Sequence, residues 1–319
     1  MRRPVLLVYR PLGLGDLLTA VPALRALADA WPEHLHVLAA PRWLASLAIH
    51  SGAVDAVVHS SPLQPLSEDG PRPDVAVNLH GRGPESHRVV LAARPRKMIA
   101  FACSSIAGSD SWPRWRADEH EVSRWCRLLE ESGVPADPTR LELEPPERAL
   151  PPESVRATIV APGAGAPARR WPVERWAAVA RHCAAGGSTV LITGSPSERG
   201  LAAEVARRTG LPREAVLAGR TDVLQLATYV ARAGRVVSGD TGVAHLATAF
   251  GTPSVVLFGP TPPARWGPPS DCLQHRVLWA GREGDPHGST IDPGLRSIAV
   301  TEVIEVLESL PEHSMGGLR

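Results

Sequence analysis

Short, fully apolar runs bounded by Gly, Pro or polar residues recur along the chain, and longer amphipathic stretches separate them. In the first half, residues 5–9, 36–39, 53–59 and 74–79 read as strands, being rich in β-branched residues and too short for helices. Residues 17–30, 42–50, 85–93 and a stretch near 118–132 read as the helices between them. Pro22 is expected in the first turn of its helix or at a kink, because an interior Pro removes a backbone hydrogen bond. The second half repeats the pattern, with strands expected at 158–160, 189–193, 215–218, 235–238 and 254–258. Helices follow Pro172 to about residue 185 and the Gly194-Ser195-Pro196-Ser197-Glu198 turn to about residue 209, with others over 222–233 and 301–310. Strands alternating with helices predict an α/β protein with a parallel sheet in each half.

One stretch organises the second half, Gly239-Asp240-Thr241-Gly242-Val243-Ala244-His245-Leu246-Ala247-Thr248-Ala249-Phe250-Gly251-Thr252-Pro253. Val243, Leu246, Ala247 and Phe250 recur at helical spacing between two apolar strands, with Asp240 or Thr241 as the N-cap and Gly251-Thr252-Pro253 as the stop. Free N–H groups and the positive end of the helix dipole point out of such a turn, a seat for phosphate, although many turns of this kind bind nothing.

The organisation expected is an N-terminal domain over 1–134, a semi-rigid linker over 135–153 rich in Pro, a C-terminal domain over 154–300, and a closing helix and tail over 301–319. The chain's 319 residues suffice for two full cores. A net charge of +1 gives no nucleic-acid footprint. Lys97 is the only lysine, which we read as codon bias in an arginine- and alanine-rich composition. The four cysteines, Cys103, Cys126, Cys183 and Cys272, are scattered with no CxxC pair, as expected of buried thiols in a reducing compartment. The run at 5–9 is interrupted by Arg10-Pro11 and reads as a first strand rather than a signal peptide, so a cytoplasmic location is expected.

Gly13-Leu14-Gly15-Asp16 follows that first strand. Its glycines allow a tight turn, and Asp16 then lies at a helix N-terminus, either capping it or facing a ligand. A dinucleotide fingerprint is missing, since neither the third glycine nor the ribose acid is present, and this disfavours an NAD-dependent oxidoreductase. The polar loop His80-Gly81-Arg82-Gly83-Pro84-Glu85-Ser86-His87-Arg88 falls at the carboxyl end of a strand, where open α/β sheets bind ligands, or is a solvated turn. Trp112, Trp115 and Trp125 read as packing residues.

Three motifs together carry a resemblance: Gly13-x-Gly15-Asp16; Pro162-Gly163 with Arg169-Arg170-Trp171-Pro172; and Ser238-Gly239-Asp240-Thr241-Gly242-x-x-His245-Leu246-x-x-Ala249, which continues through Gly251-Thr252-Pro253 to Leu257-Phe258-Gly259-Pro260-Thr261. In this order they resemble glycosyltransferase family 9, the ADP-heptose:lipopolysaccharide heptosyltransferases. The resemblance implies a GT-B fold, with two Rossmann-like doubly wound domains facing across a cleft. It also implies a metal-independent inverting transfer of heptose or a similar sugar to a hydroxyl of a cell-surface glycan or other acceptor. No Asp-x-Asp or His-x-x-x-His occurs in the chain, and no cofactor beyond the nucleotide-sugar substrate is expected.

Carried over by motif, Asp16 is the general base, and Arg169 stands where the family has lysine and neutralises the leaving diphosphate. Donor binding is expected of Gly163, Arg169, Glu198, Thr221, Asp240, Thr241, Gly242 and His245. Asp240 is assigned to helix capping or to sugar hydroxyls, because a carboxylate sits badly beside phosphate. Gly15, Arg82 and His87 are the expected acceptor contacts. The partners expected are a nucleotide-diphosphate sugar and a glycan or glycoside, with peripheral membrane contact where the acceptor is lipid-linked, no nucleic acid, and a monomeric chain. The alternatives are a non-catalytic nucleotide-sugar-binding protein, favoured by the Lys-to-Arg departure, and another GT-B enzyme such as a nucleotide-sugar epimerase.

Overall fold

A computed structural model of the chain describes residues 3–66 and 72–313, so the end of the expected tail lies outside the described residues. The chain divides into two compact units, Met1–Leu141 and Glu142–Arg319.

The first unit runs β1 (Val5–Tyr9), α1 (Leu14–Ala30), β2 (Leu35–Ala40), α2 (Ala45–His50), β3 (Ala56–His59), β4 (Val75–Asn78), α3 (Glu85–Ala92), β5 (Lys97–Ile99) and α4 (Glu121–Glu131). Its five strands are parallel in the order β3-β2-β1-β4-β5, with Leu7 opposite Val37 on one side and Ala76 on the other. Every residue of β1 is buried, as a central strand covered on both faces requires. Val5, Leu7 and Tyr9 pack with Val37, Ala39, Ala76 and Val90 on one of those faces. Trp125 is also buried, and it meets Phe101 and Trp115 edge-on or tilted.

The helix after β1 begins at Leu14 rather than residue 17, so Pro22 lies in its interior rather than its first turn. Gly13 is the reason. Its carbonyl accepts the Leu17 N–H at 3.0 Å and its own N–H is bonded by Asp16, which starts the helix before the apolar periodicity does.

The second unit runs β6 (Thr158–Ala161), α5 (Val173–Ala185), β7 (Val190–Ile192), α6 (Arg199–Thr209), α7 (Val223–Arg232), β8 (Arg235–Gly239), α8 (Gly242–Ala249), β9 (Ser254–Leu257), α9 (Pro263–Trp266), β10 (His275–Leu278), α10 (Pro293–Ser297) and α11 (Val300–Glu308). These strands too are all parallel, in the order β10-β9-β8-β6-β7. The expected strand at 215–218 is absent. A 3-10 turn, Arg213–Ala215, brings only Val216 to β7, as a single bridge to Ile192. That segment is apolar because it is buried, not because it extends the sheet. The edge strands β5 and β10, by contrast, are not legible in the sequence, since Lys97, His275 and Arg276 break their apolar runs.

Both sheets have a point where successive strands run outward in opposite directions, and ligands of open α/β sheets sit at the carboxyl ends of strands there. In the first unit it lies between β1 and β4, and in the second between β6 and β8. Among the described residues no helix is long and apolar enough to cross a membrane.

Candidate active site

Asp16 lies on the third residue of α1, beyond the carboxyl end of β1. Its Oδ2 accepts the Gly13 N–H at 3.1 Å, so it caps the helix start from inside rather than as the N-cap itself. Its Oδ1 lies 3.5 Å from Nη2 of Arg10, and its side chain retains 26% of its exposure. Arg10 is only 3% exposed. Its Nε donates to the Asp16 carbonyl at 2.5 Å and its Nη1 to the Leu79 carbonyl, while its Nη2 reaches Thr19 Oγ1 at 3.3 Å and Glu121 Oε1 at 3.0 Å. The guanidinium also stacks 4.9 Å from the Trp125 ring centroid. Glu121 in turn receives Trp125 Nε1 at 2.9 Å and pairs with Arg124. Burial pushes the Glu121 carboxyl up, but the Arg10 and Arg124 guanidiniums outweigh it, and the group is held below the usual carboxylate range.

His80 completes this corner from the end of β4. Burial and then the Arg10 charge hold its imidazole below the ordinary histidine value, against an opposing pull from Asp16. Its ring lies 5.4 Å from that of Tyr9. Gly15 is half-buried in the first turn of α1, beside Asp16, and Arg82 is exposed in the loop after β4.

His87 corrects the expectation that it meets an acceptor. Its ring is fully buried, with Nε2 2.7 Å from the Phe101 carbonyl and Nδ1 3.0 Å from the Asn78 amide nitrogen. Those neighbours assign the proton to Nε2 and leave Nδ1 to accept, a neutral ring with both nitrogens occupied. Burial depresses its pKa despite the Phe101 bond, which agrees with that state. His87 therefore braces the loop from within.

In the second unit the loop after β6 and the loop after β8 meet at Arg169 and Asp240. Nη2 of Arg169 donates to the Asp240 carbonyl and lies 3.4 Å from the Asp240 carboxylate. Thr241 is the N-cap of α8, yet its hydroxyl makes no cap bond and is buried without a hydrogen-bond partner. The first N–H groups of α8, beginning at Gly242, have no carbonyl within the helix to bond. His245 stands in the next turn, its ring edge-on to Trp266 at 5.9 Å.

The Arg169 loop is stitched down along its length. Arg170 Nε donates to the Ala164 carbonyl at 3.0 Å, and the buried Trp171 donates from Nε1 to the Ile298 carbonyl at 3.2 Å. Ala168 exchanges backbone bonds with Gly288 and Asp292 at 3.1 and 3.0 Å. Glu198 faces the same strand end. Its Oε2 accepts from the Ser195 N–H at 2.7 Å and hydroxyl at 2.8 Å, and its Oε1 lies so near Gly163 that a Cβ there would come within 2.1 Å. Gly163 thus makes room for a carboxylate. Thr221 is half-buried just before Asp222, the N-cap of α7.

Sequence reasoning missed Arg10, His80 and Glu121. A charge immediately after a fully apolar strand was the available signal for Arg10, and His80 lay in the polar loop already singled out. Nothing local marked Glu121. Among the described residues no group of three or more His, Cys, Asp or Glu side chains is placed to hold a metal ion.

The two parallel sheets, each flanked by helices, define a GT-B-like pair of Rossmann domains. Over 96% of this chain and 98% of the other, the fold superposes on the E. coli ADP-heptose lps heptosyltransferase II with a TM-score of 0.75 at 23% identity. The chain is 24% identical to lipopolysaccharide heptosyltransferase 2 of Salmonella typhimurium over 96% of its own length and 98% of that protein's. It is 34% identical to lipooligosaccharide heptosyltransferase 2 of Haemophilus influenzae over 140 residues, about 40% of either chain. The family model "Glycosyltransferase family 9 (heptosyltransferase)" matches residues 89–286. The chain belongs to glycosyltransferase family 9, a family of enzymes.

Proposed function

We infer that the protein transfers a sugar, heptose or a close relative, from an ADP-linked donor to a hydroxyl of a cell-surface glycan or other acceptor, with inversion. The observation that carries this reading is the seat made by Arg169, Asp240 and the start of α8 in the second unit. A guanidinium held beside the first N–H groups of a helix is suited to a diphosphate. The E. coli and Salmonella relatives are heptosyltransferases, and the E. coli protein's name specifies ADP-heptose.

In this reading Asp16 takes the proton of the acceptor hydroxyl as its oxygen bonds to the anomeric carbon. The bond from that carbon to the donor phosphate breaks, and its electron pair leaves on the diphosphate. Arg169 and the N–H groups of Gly242 and Val243 receive that charge, which is largest at the transition state. Asp240 holds the guanidinium and does not itself meet phosphate. His245 contacts the diphosphate side, Gly163 and Glu198 the ribose, and Thr221 the base. Gly15 and Arg82 are left as the acceptor contacts. The location that suits this reading is the cytoplasm, with the chain a monomer at a lipid-linked acceptor.

Thermal unfolding with ADP, GDP, UDP and CDP, followed by ADP-heptose, tests it. A ligand at a hundred times its dissociation constant stabilises by about 2.7 kcal/mol. A selective response to ADP, with sugar appearing on an acceptor as ADP is released, is the expected result. No response to any nucleotide, or a donor isomerised without transfer, would overturn it.

A further inference from the structure

Arg10 and Glu121 are buried ionised groups with no part in the reaction as described above. A buried guanidinium is costly unless its charge and donors are all met. The equivalent strand end of the second unit, Ala161-Pro162, does without one, whereas β1 ends in Tyr9-Arg10-Pro11. What Arg10 serves is specific. It holds the Asp16 carbonyl, lies beside the Asp16 carboxylate, and reaches Thr19, whose hydroxyl donates to the same carbonyl at 3.1 Å.

We propose that Arg10 is a positioning residue for Asp16, and that Glu121 sets how much of the Arg10 charge Asp16 receives. This rests on the reading of Asp16 as the base. The distances carry the division of labour. Nη2 of Arg10 is 3.0 Å from Glu121 but 3.5 Å from Asp16, so Glu121 takes the closer bond and the Asp16 oxygen is steered without being consumed. A carboxylate forked by arginine is a poor proton acceptor, and one with no cation nearby is neither aimed nor kept ionised. Arg10 between two carboxylates is a setting between those extremes. The other groups facing Asp16 are the Gly13 N–H and His80, and Arg124 acts on it only through Glu121.

The test is kcat and donor KM for Arg10→Met, Arg10→Lys and Glu121→Gln, with Asp16→Asn alongside and the ADP-induced thermal shift recorded for every variant. Arg10→Met is expected to lower kcat by about 10- to 100-fold, within what a positioned base contributes, and to leave the donor KM and the ADP response unchanged. Arg10→Lys should recover most of the loss. Glu121→Gln should also lower kcat at unchanged donor KM, because Arg10 then turns to Asp16 and occupies its oxygen. A kcat loss matched by a loss of the ADP response, and no recovery with lysine, would make Arg10 merely structural while leaving Asp16 in place. Turnover by Asp16→Asn at the wild-type rate would remove the base reading and this proposal with it. If Arg10→Met does not fold, Glu121→Gln decides alone, and an unchanged kcat overturns the proposal.

Discussion

Arg169 is held by Asp240 twice, through the backbone carbonyl and through the carboxylate 3.4 Å from its Nη2. The guanidinium is therefore fixed in place. Arg169→Ala should lower kcat by about 10²–10³-fold, the usual loss when one donor to a developing negative charge is removed. Arg169→Lys should restore part of this as a point charge without the fork. Asp240→Asn keeps the carbonyl anchor and should cost less than Arg169→Ala. Steady-state kinetics with the ADP-linked donor orders the three variants. An Asp240→Asn loss equal to that of Arg169→Ala would mean that the carboxylate touches the donor directly.

Asp16→Asn keeps the size of the side chain and removes its basicity. We expect kcat to fall by about 10²–10⁴-fold, the range for a general base, while ADP-induced thermal stabilisation persists. An asparagine variant that no longer responds to ADP would point to a role in folding instead.

Gly163→Ala places a methyl group against the end of the Glu198 side chain, 2.1 Å from Oε1. The carboxylate can swing away, at a cost of about 1 kcal/mol for the Ser195 bonds it leaves. Stability should therefore change little, while ADP binding weakens because Glu198 is no longer in place. Calorimetric titration with ADP checks this, and undiminished affinity would detach Glu198 from the nucleotide.

His275 is buried on β10 and faces Ser254 Oγ on β9 at 2.8 Å. Burial lowers its pKa from 6.5 to about 4. The folded state thus resists protonation that the unfolded chain accepts, so stability is complete above pH 6.5 and declines as pH falls from there to about 4. Fully expressed, the decline is about 3 kcal/mol. Urea unfolding at pH 7 and pH 5 should show the first part of it, and His275→Gln should flatten that slope.

The alternation of apolar runs and amphipathic helices made both parallel sheets legible, because a buried central strand such as β1 is unbroken in hydrophobicity. The edges were not. β5 and β10 carry charge where one side meets solvent, and residues 215–218 are buried without being a strand. Glycine motifs marked the turns that bear Asp16 and Thr241, since tight turns constrain local sequence. His87 misled because a polar residue in the first turn of a helix gives no sign of whether it faces outward. Glu121 was invisible because its partner is Arg10, 111 residues away in the chain.

The bonds that fix the Arg169 loop come from Gly288, Asp292 and Ile298, beyond residue 286, where the family match ends. A fragment cut at that limit would keep Asp240, which holds the guanidinium, but lose these backbone moorings of the loop. It would also lose Leu295, Ile298, Val303 and Leu307 from the buried core that includes Trp171 and Trp176. The shortest competent form of this unit is set by where the loop is anchored rather than by where the signature stops.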